Sequence, residues 1–375
     1  MKQGEVVELP IIKMEQGMND KTPKYMMVAQ LVKSQIQEGI LKYGDKIDSE
    51  NELSRRFNLS RQTIRQGIGM LEQEKFVLRV QGSGTYVSYK PRMLEETMNI
   101  GIISTYLDQY IFPSIIKGIE NILTPKGYSM QIALTHNRFE NEARALKSMI
   151  DKGVDGFIIE PTKSALPNPN MQIYRHICKN NLPVIFFNAF YPNTPYPYVS
   201  IDDKKAGEIA TNFLLDNGHR NILGIFKFDD IQGHLRYSGF QNALNEHQIL
   251  EGLDNVMWFA TGEMDNFCKD NAVFLENIKK NTAILCYNDE LAFNIITYLQ
   301  TIGIKVPDDI SIMGIDNSNV ASLCNIPLST VTHPGEKLGE CAAQNLMSLI
   351  KDPEINANKI FVPELVVRKS VKNIV

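Results

Sequence analysis

Four residues in the first fifth of the chain, Arg61, Gln62, Arg65 and Gln66, have the types and spacing needed to read a base-pair edge. Ile64, Ile68 and Leu71 recur at four- and three-residue spacing and define an apolar helix face, which leaves those four on the other side. Arg offers a paired donor fork that suits guanine. Gln offers a donor and an acceptor that suit adenine, and the first turns of a helix in a major groove are the ones that reach bases. Further along, carboxylates, amides, aromatics and one guanidinium gather where strands are predicted to end: Tyr106, Asp108, Tyr110 and Phe112, then Glu160, Asn188, Tyr191, Asp229, Asp230, Arg236, Asn288, Asp289, Asp316 and His333. That mixture suits a neutral, hydroxyl-rich ligand, because acids and amides bond neighbouring hydroxyls while an aromatic face covers the apolar side of a sugar ring.

Catalytic signatures are absent from the sequence. No GxGxxG follows a strand, and neither GxxxxGK[ST] nor GxSxG occurs. The six histidines have no close metal-ligand spacing and the five cysteines form no CxxC pair, so neither a metal, a cofactor nor a disulfide framework is expected. Paired acids such as Asp202-Asp203 read as helix caps or loops. The chain is expected not to be an enzyme, and a reducing cytoplasm is its expected location. No apolar run reaches membrane-spanning length, so no membrane partner is expected.

The elements that must hold these residues follow from pattern. Ser49 is placed to cap a helix over 50–57 with Glu52 completing a capping box, and Ser60 to cap the helix carrying Arg61 and Arg65. A hairpin follows over 77–87, tipped by Gln81-Gly82-Ser83-Gly84, whose glycines permit close backbone approach to a phosphate or a minor groove. An amphipathic helix over 24–39 lies before them, with Lys24 near its start as a candidate phosphate contact. Together these make a winged helix-turn-helix over 23–88, after a flexible extension over 1–22 and before a linker over 89–98. Gly67 and Gly69 interrupt the predicted reading helix, each at a cost of up to ~1 kcal/mol against alanine, which predicts a helix only marginally stable by itself. Net charge is −4, yet residues 1–92 hold 15 Lys and Arg against 11 Asp and Glu, so the short domain is the basic one.

From residue 99 to 375 strands and helices alternate. Strands are predicted over 100–104, 130–135, 156–160, 184–188, 222–226, 256–259, 283–287 and 311–315, with helices over 114–123, 140–152, 204–217, 235–247, 271–280, 291–302 and 336–351. This alternation predicts an α/β domain with parallel sheets, and its length predicts two lobes. Ligands of such sheets bind beyond the carboxyl ends of the strands.

The runs 50–66 (ENELSRRFNLSRQTIRQ) and 80–87 (VQGSGTYV) resemble the DNA-binding domain of the GntR family of bacterial regulators. The resemblance implies DNA contacts from Arg61, Arg65, Gln81 and Gly82, with Ser60 and Thr63 on phosphates; Glu50 and Gln62 complete the candidate set. Asp48 departs from the family, which usually has proline there. The runs 110–120 (YIFPSIIKGIE), 154–160 (VDGFIIE), 217–222 (NGHRNI), 236–240 (RYSGF), 286–292 (CYNDELA) and 306–316 (VPDDISIMGID) are similar to the effector domain of the LacI/GalR family, itself similar to two-lobed periplasmic sugar-binding proteins. That resemblance implies that Arg236, Asn288 and Asp316 hold sugar hydroxyls while Ser114, Glu160 and Asn188 line the other lobe. The pairing of the two domains resembles the arabinose-responsive repressors of Gram-positive bacteria. It implies a homodimer on a roughly palindromic double-stranded operator, released by L-arabinose; residue chemistry alone does not separate that sugar from another pentose or hexose.

Overall fold

A computed structural model describes residues 23–37, 40–89, 97–107, 110–192, 194–249, 252–269 and 271–375. The predicted extension over 1–22, most of the predicted linker and Asp108 lie outside the described residues. The chain divides into two compact units, Met1–Glu95 and Glu96–Val375.

In the first unit, α1 (Lys24–Gln37) packs on α3 (Arg61–Gln73), and α2 (Glu50–Phe57) leads into α3 through Asn58, whose left-handed φ of 51° makes the tight turn. Ser49 and Glu52 form the reciprocal capping box. Val28, Val32, Ile36, Leu53, Ile64, Ile68 and Leu71 close one small core. The antiparallel wing is β1 (Val77–Val80) and β2 (Gly84–Val87). Asp48, where proline is usual, pairs with Arg56 and so ties the start of α2 to its own last turn.

Gly67 has a packing role beside the helix-propensity cost expected of it. A methyl group there would sit 2.8 Å from the Tyr25 carbonyl oxygen and 3.3 Å from Val28, so this glycine lets α1 and α3 approach closely. Gly69 faces open space. Both carry the propensity cost of glycine in a helix, but only Gly67 is required by packing.

The second unit has two lobes. The six-stranded parallel sheet of the first runs in the order β13-β7-β6-β5-β3-β4, from β3 (Asn99–Ser104), β4 (Ser129–Leu134), β5 (Gly156–Ile159), β6 (Val184–Phe187), β7 (Tyr198–Ile201) and β13 (Lys359–Phe361). In the second lobe the order is β11-β10-β8-β9, from β8 (Ile222–Lys227), β9 (Val256–Phe259), β10 (Ala283–Cys286) and β11 (Ser311–Met313). Helices α4 (Phe112–Leu123), α5 (Phe139–Lys152), α6 (Met171–Lys179) and α12 (Gly335–Lys351) serve the first lobe; α7 (Asp203–Asp216), α8 (Ile231–Glu246), α9 (Ala272–Lys280), α10 (Asp289–Thr301) and α11 (Asn319–Leu323) serve the second. α4 and α12 lie so close that a methyl group on Gly118 would fall 2.0 Å from the Glu336 carbonyl oxygen.

The chain crosses between lobes after β7, after β12 (Thr330–Val331) and before β14 (Leu365–Val366). The crossings are bonded to one another, Asp202 N to Phe361 O at 2.9 Å and Thr332 N to Glu364 O at 2.8 Å. Among the described residues no helix is long and apolar enough to cross a membrane.

Candidate functional site

Two surfaces carry the candidate residues. On the first unit, Ser60 Oγ accepts the Thr63 amide at 3.2 Å and caps α3, which projects Arg61, Gln62, Arg65 and Gln66 into solvent. Lys24, Gln81 and Gly82 are exposed as well. Glu50 holds Arg65, accepting from Nη2 at 2.9 Å and from Nε at 3.1 Å, and that ion pair raises the basicity of the guanidinium. Arg79 lies 3.5 Å from Glu50 and donates to the Arg65 carbonyl, so the hairpin is stitched to α3.

On the second unit, a cavity of about 230 Å³ lies between the lobes. That is below the ~300–1,000 Å³ typical of pockets for drug-sized ligands and suits something as small as a monosaccharide. Its lining includes Tyr106, Phe112, Glu160, Asn188, Asp230, Arg236, Asn288 and Asp316 from the predicted set. Among the described residues, five predicted ones do not line it. Tyr191 donates to buried Glu142 at 2.6 Å, Asp229 accepts the Thr261 amide at 3.2 Å, and Asp289 accepts the Ser318 amide at 2.7 Å and Thr330 Oγ1 at 2.6 Å; the other two are Ser114 and His333. Ser114 Oγ donates to the Ile111 carbonyl at 2.9 Å and faces Gly335 of α12, because α4 begins at Phe112 and its first turn points Ser114 at the helix contact. His333 lies behind the wall, with Nε2 3.1 Å from Asn188 Oδ1; burial depresses it to about 4, so its ring is neutral.

Lys227, Gln232, Thr261, Met264, Tyr287 and Glu290 also line the cavity and were not predicted. Lys227 is the last residue of β8 and Thr261 follows β9 by two residues, so both stand at the carboxyl ends of strands that the sequence located.

Arg236 is 2% exposed and sits in the second turn of α8, which starts earlier than predicted. Its Nε donates to Asp203 Oδ1 at 2.8 Å, Nη1 to the Tyr287 carbonyl at 2.6 Å and Nη2 to Asp316 Oδ1 at 2.8 Å. Burial opposes its charge, but Asp316 and Asp203 hold its pKa well above the ordinary arginine value. Asp316 Oδ2 also accepts Tyr110 Oη from the other lobe at 2.5 Å. Glu160 Oε2 accepts the Thr105 amide at 2.7 Å and Oε1 accepts Asn188 Nδ2 at 2.9 Å; burial pushes its pKa up against those bonds. Asn288 Oδ1 caps α10 through the Leu291 amide, which leaves Nδ2 for a ligand. Lys227 pairs with Asp230 at 2.6 Å; burial works against its charge, and Asp230 and Asp229 keep its pKa raised.

Tyr110, Asn188 and Asp316 have φ of 60°, 65° and 110°, so three wall residues occupy strained backbone regions of the kind that cluster at binding sites. Ile111, Phe112, Phe259 and Met264 supply an apolar side. The lining holds two cations, Lys227 and Arg236, against Glu160, Asp230, Glu290 and Asp316, a balance that disfavours an anionic ligand.

Both units match known proteins. Residues 24–87 match the bacterial regulatory proteins of the gntR family, and residues 211–371 match the periplasmic binding protein-like domain. An arabinose metabolism transcriptional repressor of Geobacillus stearothermophilus is 40% identical over 366 residues, covering 95% of this chain and 100% of that protein. The chain belongs to the arabinose metabolism transcriptional repressors. A second such repressor, from Halalkalibacterium halodurans, is 38% identical over 92% of this chain and 96% of its own length. A LacI family regulator from Enterococcus faecium solved with bound ribose is 25% identical with a TM-score of 0.63, covering 74% of this chain and 99% of that one. The transcription regulator CcpA of Lactococcus lactis, 24% identical over 73% of this chain and 99% of its own with a TM-score of 0.65, shares the fold. This protein is a sugar-responsive, DNA-binding transcriptional repressor and not an enzyme.

Proposed function

We propose that this repressor binds operator DNA as a homodimer through α3 and the wing, and that L-arabinose, bound between the lobes of the second unit, releases it. Arg61, Gln62 and Arg65 read bases, while Lys24, Ser60, Thr63, Gln81 and Gly82 position the backbone; Glu50 holds Arg65 at the correct angle. In the cavity, Arg236, Asn288 and Asp316 from one lobe and Glu160 and Asn188 from the other take the sugar hydroxyls, with Tyr106, Phe112 and Asp230 completing the wall. A DNA target in a bacterial cell places the protein in the cytoplasm.

The observation that carries this reading is the cavity itself. It is sugar-sized, mixes adjacent donors and acceptors with an apolar side, and carries an excess of carboxylates that turns away phosphorylated sugars. Sugar must favour one lobe arrangement by a few kcal/mol to switch the DNA affinity, and the coupling is reciprocal. The test is operator binding titrated with L-arabinose, D-ribose, D-xylose and D-galactose. Release by L-arabinose at the lowest concentration is expected, and operator affinity unchanged at saturating L-arabinose would overturn the proposal. Release by a different sugar would keep the mechanism and replace the effector.

A further inference from the structure

The start of α8 is capped from across the cleft. Asp230, the residue before the helix, makes no side-chain capping bond. The Ile231 amide donates instead to Ser164 Oγ of the other lobe at 2.9 Å, and one residue on, the Ala165 amide donates to the Asp229 carbonyl at 3.2 Å. Beside them Asn137, in the loop after β4, accepts the Lys163 amide on Oδ1 at 2.6 Å. Its Nδ2 reaches over to Thr261 Oγ1 at 2.5 Å and Asp230 Oδ1 at 3.3 Å. Asn137 and Ser164 are each 2% exposed, and neither lines the cavity.

We infer that Asn137 and Ser164 are positioning residues for the sugar response, forming a strap whose bonds are made only while the lobes are together. α8 carries Gln232 and Arg236 on the cavity wall, so the strap holds in place the helix that presents them. When the lobes part, the Ile231 amide and the Asn137 side chain lose these partners to water. Sugar affinity depends on the fraction of molecules in the competent arrangement, so the strap contributes to it without touching sugar. The inference rests on the proposal that sugar favours the arrangement in which the lobes meet.

The full-length protein tests it, with three substitutions. Ser164→Ala removes the cap and Ser164→Thr restores it. Asn137→Asp keeps the shape, tolerates the φ of 53° and still accepts the Lys163 amide, but sets a carboxylate against Asp230. The Kd for L-arabinose, by calorimetry, and the sugar concentration for half-release of operator are measured together. Ser164→Ala is expected to raise both by about five-fold, the effect of one lost N-cap. Asn137→Asp is expected to raise them by about ten-fold or more, from like charges held in contact. Ser164→Thr should behave as wild type, and operator affinity without sugar should be unchanged in all three. A purely structural role would lower the melting temperature equally with and without sugar and leave the half-release point unmoved, and that result would overturn the inference. If wild-type protein takes up no L-arabinose, the effector proposal falls, and the strap is judged by amide hydrogen exchange at the start of α8. Faster exchange in Ser164→Ala than in wild type then supports it, and equal exchange overturns it.

Discussion

Arg236→Ala is expected to destabilise the second lobe rather than merely blunt the sugar response. Every nitrogen of the guanidinium already has a protein acceptor, Asp203, Tyr287 or Asp316, and the side chain is 2% exposed. Removing one partner of a buried ion pair costs about 3–5 kcal/mol, because the remaining charge is left without compensation. Here two carboxylates are left. A domain of this size loses roughly 2–4 °C of melting temperature for each kcal/mol, so the fall should be on the order of 10 °C. Trp258, the single tryptophan, packs against Phe226 and Tyr237 in the same lobe, so its fluorescence reports the melt.

The deficit should also depend on pH. Burial raises the pKa of Asp203 to about 6 even with Arg236 opposing it, and without Arg236 it climbs further. A carboxyl whose folded pKa is raised above its unfolded value penalises folding in full above the folded pKa, and the penalty fades as pH falls toward the unfolded value. The difference from wild type should therefore be largest at pH 8 and smaller at pH 5. Arg236→Lys should fall between, since an ammonium cannot span all three acceptors. A variant that melts like wild type at pH 8 and has lost only sugar binding would refute this reasoning and leave Arg236 as a ligand contact alone.

Gly67→Ala should destabilise the first unit, because its methyl group meets the Tyr25 carbonyl, whereas Gly69→Ala should stabilise it by up to ~1 kcal/mol; chemical unfolding of each variant checks both signs. Arg65→Ala should lose roughly 5- to 150-fold in discrimination at one base position if the side chain reads a base, and a uniform loss across operator variants would reassign it to phosphate. Asp289 should make the second unit less stable as pH rises from about 4 to about 7. Burial, with Asp316 adding to it, raises Asp289 from 3.8 to about 7, so the folded state keeps a proton that the unfolded chain has lost. Asp289→Asn should flatten the melting temperature across that window, and an unchanged slope would assign the dependence to another group.

Much of the fold was legible because parallel α/β units announce themselves by alternation, and the strands predicted from 100 to 315 all appear with ends shifted by a residue or two. The strands that join the lobes were not legible. Thr330–Val331, Lys359–Phe361 and Leu365–Val366 have two or three residues each, too few for any period, and their pairing partners lie far away in sequence. Tyr198–Ile201 and the helix Met171–Lys179 were missed among prolines and amides that read as loop. For the sites, residue type located the cavity wall but not its direction. Ser114 fails because one helix start moved by two residues; Lys227, just past the predicted strand end, was passed over for the acids that follow it, although it pairs with one of them, Asp230. Gly67 and Gly69 look alike in sequence; only the presence of α1 over one of them separates their roles.

The three crossings have a consequence for how the protein is made. The first lobe begins at Asn99, yet it needs α12 and β13, whose residues lie between Gly335 and Phe361. Until those leave the ribosome, the face of α4 around Gly118 has no neighbour and one edge of the sheet lacks its last strand. Domains generally fold as units during synthesis, so here the earlier lobe must wait for the later one. A nascent chain stalled before residue 335 would expose that apolar face for the time of translation, whereas the small head, complete by Val87, could already be folded. An unfinished chain of this kind would carry a folded gntR-type head without a complete periplasmic binding protein-like domain.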